Sequence, residues 1–179
     1  RAAGTAEANY FSRIDPNEKP NKTGASILGI DPVAEDNFSN LSKYVGEGSY
    51  LSPSDYDMVL LGPQYVDRYS FGEQPGLTPL KNIYTGTKIR LTIEGHTREV
   101  TIKGILKVPA NSPLAARIFM PAPELRQIMG RTDYAVNMIS ILLTPGTDSV
   151  AFRDLLERSG IGENAKVQTF EEGIPNGVA

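Results

Sequence analysis

The chain has 179 residues, 40% hydrophobic and 22% charged, with a net charge of −3 and no cysteine. That is enough apolar material for a real core, in one domain or two small lobes, and the mild acidity excludes a nucleic-acid surface built on clustered Lys and Arg. Without cysteine there are no disulfides, thiolate chemistry or cysteine-ligated metals, and no apolar run approaches the roughly 20 residues of a membrane-spanning helix.

Residues 1–25 are polar apart from a short apolar stretch at Asn9–Ile14, and "DPNEKPNKTG" predicts a long turn or loop. From Ala25 one design recurs. "SILGI" runs into Asp31-Pro32, "MVLLG" into Pro63, and "RIFMP" into Ala122-Pro123. Each is a short strand feeding a proline at or near the first helical position, where a missing N–H costs nothing. Gly46, Gly72 and Gly130 then stand where a left-handed residue ends a helix. Phe38, Leu41 and Val45 share one face of the first predicted helix; Leu125, Ile128 and Met129 share one of the third. Residues 73–85, rich in Pro and Gly, read as a surface excursion.

Residues 86–106 alternate apolar and polar on both sides of Glu94-Gly95, which predicts an antiparallel hairpin. "MISILLT" reads as a strand, followed by a fourth helix with Phe152, Leu155 and Leu156 on one side, and "KVQTF" as a last short strand. The expected class is α+β: a mixed two-lobe domain with short strands, an antiparallel hairpin and four short helices.

No reactive constellation emerges. His96, the only histidine, sits at the hairpin turn and reads as solvated. Asp55 and Asp57 flank Tyr56 without further oxygen ligands, and Asp31 is accounted for as a helix N-cap. Glu35-Asp36 and Glu171-Glu172 read as solvated charges. Gly62 fails as a phosphate loop because Pro63 removes a needed N–H. Arg117, Arg126 and Arg131 read as a solvated or partner-facing group near the third helix. Tyr44, Tyr50, Tyr56, Tyr65 and Tyr69 crowd one stretch; half-exposed packing is the favoured reading, with Tyr50, Tyr65 and Tyr69 as surface binding candidates. Asn21, Asn37 and Asn40 open glycosylation sequons. No catalytic residue, metal or cofactor is expected.

The ordered set of pieces resembles a known family. Gly29-Ile30-Asp31, Gly48-Ser49-Tyr50-Leu51, Val59-Leu60-Leu61-Gly62, the strand from Gly86 to Leu91 and the return strand from Val100 to Leu106 follow one another as in the extracytoplasmic domain of MacB/FtsX/LolC-like ABC-transporter permeases. The similarity covers about residues 26–170; Thr87 replaces the family's usual Asp, and residues 73–85 lengthen the approach to the hairpin. The resemblance implies a membrane-proximal, porter-like α/β lobe from 1–35 plus 136–179, and a distal, sabre-like α+β lobe from 36–135. It further implies an extracytoplasmic, non-catalytic piece of a longer protein, lying between its first and second transmembrane helices. The partners implied are a cognate ABC ATPase subunit or domain, a second permease subunit in a homo- or heterodimer, and an extracellular protein.

Overall fold

The structure, a computed structural model, describes residues 1–10, 20–72, 74–133, 136–169 and 172, in two units, Arg1–Asn137 and Met138–Ala179. In the first unit Ala2–Ala8 (β1) and Asn21–Ile30 (β2) precede Pro32–Ser39 (α1), Val45–Gly48 (β3) and Met58–Leu61 (β4). Lys88–Ile93 (β5), His96–Leu106 (β6), Ile118–Pro121 (β7) and Ala122–Ile128 (α2) follow. The helix of the second unit is Ser149–Arg158 (α3).

Six strands close into a barrel in the order β6–β4–β7–β2–β1–β5, with β5 returning to β6; β3 is appended to the end of β6. The β2–β7 and β4–β6 pairs are parallel and the remaining ring pairs antiparallel. The hairpin forms as its alternation predicts. Glu94 and Gly95 have φ of 48° and 83°, the left-handed pair of a type I′ turn, whose twist matches the flanking strands.

The interior explains why so few strands can close. Ala2, Ala6 and Ala8 of β1 and Ala25 of β2 share one buried cluster with Ile89, Leu91 and Ile93 of β5. Small side chains on one wall leave room for long ones on the other, as a narrow barrel requires. Leu125 and Ile128 bring α2 into the same cluster, and Gly29 lets Ala122 and Leu125 lie directly on β2. The strand period of two sends Leu60 and Phe119 to the opposite face, where they form a second cluster with Ile30, Leu41, Leu51 and Leu106.

This ring corrects the expectation of a two-lobe domain with four helices. β1 and β2 pair with β5 and β7, so the strands on either side of residue 35 belong to one body. Only three α-helices occur among the described residues. The segment after Pro63, expected to be helical as far as Gly72, makes two 3₁₀ turns, Pro63–Tyr65 and Asp67–Tyr69. Its backbone is engaged elsewhere: Gln64 N–H donates to Ala115 O at 3.0 Å, Asp67 N–H to Leu80 O at 3.1 Å, and Leu80 N–H to Tyr65 O at 2.8 Å. Those bonds replace the i→i−4 ladder of an α-helix.

The first helix also stops early. Asn40 turns left-handed at φ 53° and ends α1, Leu41 drops into the outer cluster, and Val45 enters β3 opposite Leu106. In the second unit the expected strand at 138–144 is irregular, with no ladder partner among the described residues, and Met138, Ile139, Ile141 and Leu142 are exposed. The helix that follows is as expected, with Asp148 capping it through the N–H groups of Val150 and Ala151 at 2.9 and 3.0 Å. Lys166–Thr169 form no strand; Phe170, and residues 11–14 of the early apolar stretch, lie outside the described residues.

Candidate functional site

The three candidate tyrosines do three different things. Tyr65 is 1% exposed, and its hydroxyl accepts from Ser26 N–H at 3.0 Å and donates to Ala116 O at 3.3 Å. It is a core bridge between β2 and the segment entering β7, not a surface residue. Tyr50 is half-buried against the outer cluster and donates to Pro32 O at 3.0 Å, tying α1 to the chain beyond β3. Burial, then the charges of Asp36 and Glu35, push its phenol well above the ordinary range. Tyr69, at 39% exposure, is the one that meets solvent.

Tyr69 belongs to a cluster that sequence spacing does not show. Arg68 lies 4.6 Å from the Tyr69 ring centre and 4.4 Å from that of Tyr84, within cation–π range of both. The guanidinium also pairs with Glu47 at 2.7 Å and donates to Ile83 O. Tyr69 donates to the same carboxylate, and its hydroxyl, with Arg68, holds the Glu47 carboxyl below the usual range. Tyr84 is 56% exposed, and Phe71, two residues beyond Tyr69 in the chain, is 52% exposed. The result is an aromatic surface fixed by a central cation beside β3, whose other edge has no ladder partner among the described residues. Tyr69 and the loop carrying Tyr84 were singled out in sequence; Arg68, and Glu47 brought in by β3, were not.

A second network surrounds the start of β4. Arg98 Nε binds Asp57 Oδ1 at 2.6 Å, and another of its nitrogens reaches the Tyr56 hydroxyl at 2.6 Å. Tyr56 donates to Gln127 Oε1 on α2 at 3.0 Å, and Asp57 N–H donates to Glu124 Oε1 at 2.9 Å. Asp55 is occupied separately, accepting from Ser52 N–H at 2.7 Å and pairing with Lys103 at 2.5 Å. The two aspartates around Tyr56 therefore turn to different cations and form no joint metal site.

The remaining polar candidates are scattered. His96 is exposed where β6 begins. Arg126 and Arg131 line one open depression beside α2, while Arg117 points away from it to Ser26 Oγ at 2.5 Å. Among the described residues no group of three or more His, Asp or Glu side chains could hold a metal ion. What the geometry offers is recognition by aromatic and charged surface, together with a well-packed support.

A family model, the MacB-like periplasmic core domain, matches residues 2–159. The chain belongs to that family. This MacB-like domain is therefore an extracytoplasmic domain of an ABC-transporter permease, from a non-enzymatic family that works with an ABC ATPase. No curated protein matches it. None of its described helices is long and apolar enough to cross a membrane.

Proposed function

We propose that the domain is a passive transmitter. A cognate ABC ATPase drives the parent permease, acting as a homo- or heterodimer, and the domain passes that movement to an exported substrate or to an extracellular partner protein. It does so from between the first and second transmembrane helices of the parent and performs no chemistry itself. The observation that carries this reading is the closed ring, its interior filled with aliphatic side chains and joined by α2. A body packed in this way moves as a unit, because close-packed interiors transmit displacement instead of absorbing it.

The test uses the parent permease with its ATPase, and the absence of native cysteine in this domain simplifies labelling. Spin labels at Lys107 of the two subunits are expected to change separation between nucleotide-free and ATP-bound states. A pair at Lys22 and Lys107 within one domain is expected to keep its distance. A fixed separation between subunits, or a changed one within the domain, overturns the proposal.

The exposed Tyr69, Phe71 and Tyr84 favour a second reading, a stand-alone module that binds an extracellular peptide, glycan or protein. In that case the isolated domain binds candidate ligands, and replacing Phe71 and Tyr84 by Ser abolishes the binding; unchanged binding removes this surface from consideration.

A further inference from the structure

Glu124 is the side chain that neither scaffold nor surface accounts for. It lies in the first turn of α2, is 3% exposed, and is the only acidic residue among the buried polar ones of the described chain. Its Oε1 accepts from Asp57 N–H, but Oε2, equally enclosed, has no hydrogen-bond partner. A buried carboxylate with one empty oxygen is costly, and a proton on that oxygen removes the cost by turning it into a donor. An acceptor is at hand in the Asp57 side chain, whose hydrogen bonding is among the causes that raise the Glu124 carboxyl and whose Oδ1 pairs with Arg98 Nε at 2.6 Å. Asp57 is itself held at φ 53°, in the left-handed region unfavourable to a side chain. Its backbone is fixed there by the bond to Glu124 and by Thr101 N–H, which donates to Asp57 O at 2.7 Å.

We propose that Asp57 and Glu124 form a proton-operated latch, in which one shared proton clamps α2 to the turn that enters β4, and loss of that proton to solvent loosens α2 from the end of the ring. The groups that act on it come from every neighbouring element. Asp57 disfavours the second charge, Arg98 of β6 favours it, and Lys88 of β5 acts through its field on Asp57. Tyr56 joins the network through hydrogen bonds and through its ring, whose centre lies 5.0 Å from the Arg98 guanidinium. β7 carries no ionisable residue, and β2 meets α2 at Gly29. Burial, then Asp57, pushes the Glu124 carboxyl up to about 7, so the latch opens as the medium goes from mildly acidic to alkaline. This places a pH response at the α2 end of a transmitter, beyond the transmission itself.

Hydrogen exchange of the full chain tests it, with rates corrected for the intrinsic pH dependence. Between pH 5.5 and 8, amides of 122–129 and 57–58 are expected to lose roughly tenfold or more in protection, about one pKa unit of coupling, beyond the loss that β1 and β5 share with the global stability. Glu124→Gln, neutral at every pH, is expected to abolish that difference. A carbon-13 carboxyl titration of the unsubstituted chain provides a second readout, with Glu124 expected to titrate near neutrality. Protection that is independent of pH, a loss spread evenly over all strands, a loss that persists in Glu124→Gln, or Glu124 titrating in the ordinary carboxylate range would each overturn the latch.

Discussion

Replacing Tyr65 by Phe isolates one oxygen atom in the core. The ring keeps its place, no large void opens, and two bonds go: Ser26 N–H loses its acceptor at 3.0 Å and Ala116 O its donor at 3.3 Å. With about 1 kcal/mol for each backbone group left without this partner, the loss is about 2 kcal/mol. At this domain size that corresponds to a fall in Tm of about 7 °C. Thermal and urea melts followed by far-UV circular dichroism measure it, and the urea m-value should not change, because the same surface is exposed on unfolding. Tyr65→Ala adds a cavity and should cost about 4 kcal/mol. Tyr69→Phe, acting on an exposed pair, should stay within about 0.5 kcal/mol. The alkaline limb gives an independent check. Burial suppresses ionisation of the Tyr65 phenol in the fold and so raises its pKa; its stabilisation is complete below the ordinary phenol range and fades as pH climbs through the raised value. The Phe variant lacks that contribution to the loss. If Tyr65→Phe costs less than Tyr69→Phe, the assignment of Tyr65 to the core and Tyr69 to the surface is refuted.

Other outcomes follow from single contacts. A Cβ at Gly62 would run into the carbonyl oxygens of Leu114 and Ala115, so Gly62→Ala should destabilise by about 2 kcal/mol in the same melts, as overpacking does. Asp31 Oδ1 accepts from Val33 and Ala34 N–H at 3.0 Å; Asp31→Ala should cost about 1 kcal/mol, whereas Asp31→Asn should keep most of it. For Glu124, raised from 4.5 to about 7, folding takes up a proton, so the stabilisation is complete below about pH 4.5 and lost as pH rises through 7. Urea titrations should show the unsubstituted chain losing up to about 3 kcal/mol relative to Glu124→Gln between pH 4.5 and 8. A constant difference would show that Glu124 is already ionised at acidic pH.

The parts of the fold that announce themselves locally were legible. β5 and β6 follow from strict alternation around Glu94-Gly95, and β2, β4, β7, α2 and α3 from apolar runs and their proline, glycine or aspartate punctuation. β1 was not legible, because Ala2, Ala6 and Ala8 carry no β-branched or aromatic signature. They suit a strand only beside the bulky residues of β5, a relation between distant parts of the chain. The same limit hid the 3₁₀ turns after Pro63, where bonds to Leu80 and Ala115 override a plausible helix. Of the surface cluster, Tyr69 was selected, but Glu47 and Tyr84 reach Arg68 only through the fold. Glu124 gave no signal at all: a glutamate in the first turn of a helix looks solvated until the turn at Asp57 covers it.

The pairing of Gly4 with Ile93 also sets the order of events during export. β1 must wait for β5, some ninety residues further along the chain, and the ring closes only once β7 has followed; contacts so distant in sequence form late. Through that wait the early segment is alanine, glycine and threonine with one glutamate, among the least adhesive material from which a strand can be made, so it can stand unpaired in a crowded compartment without recruiting a neighbour.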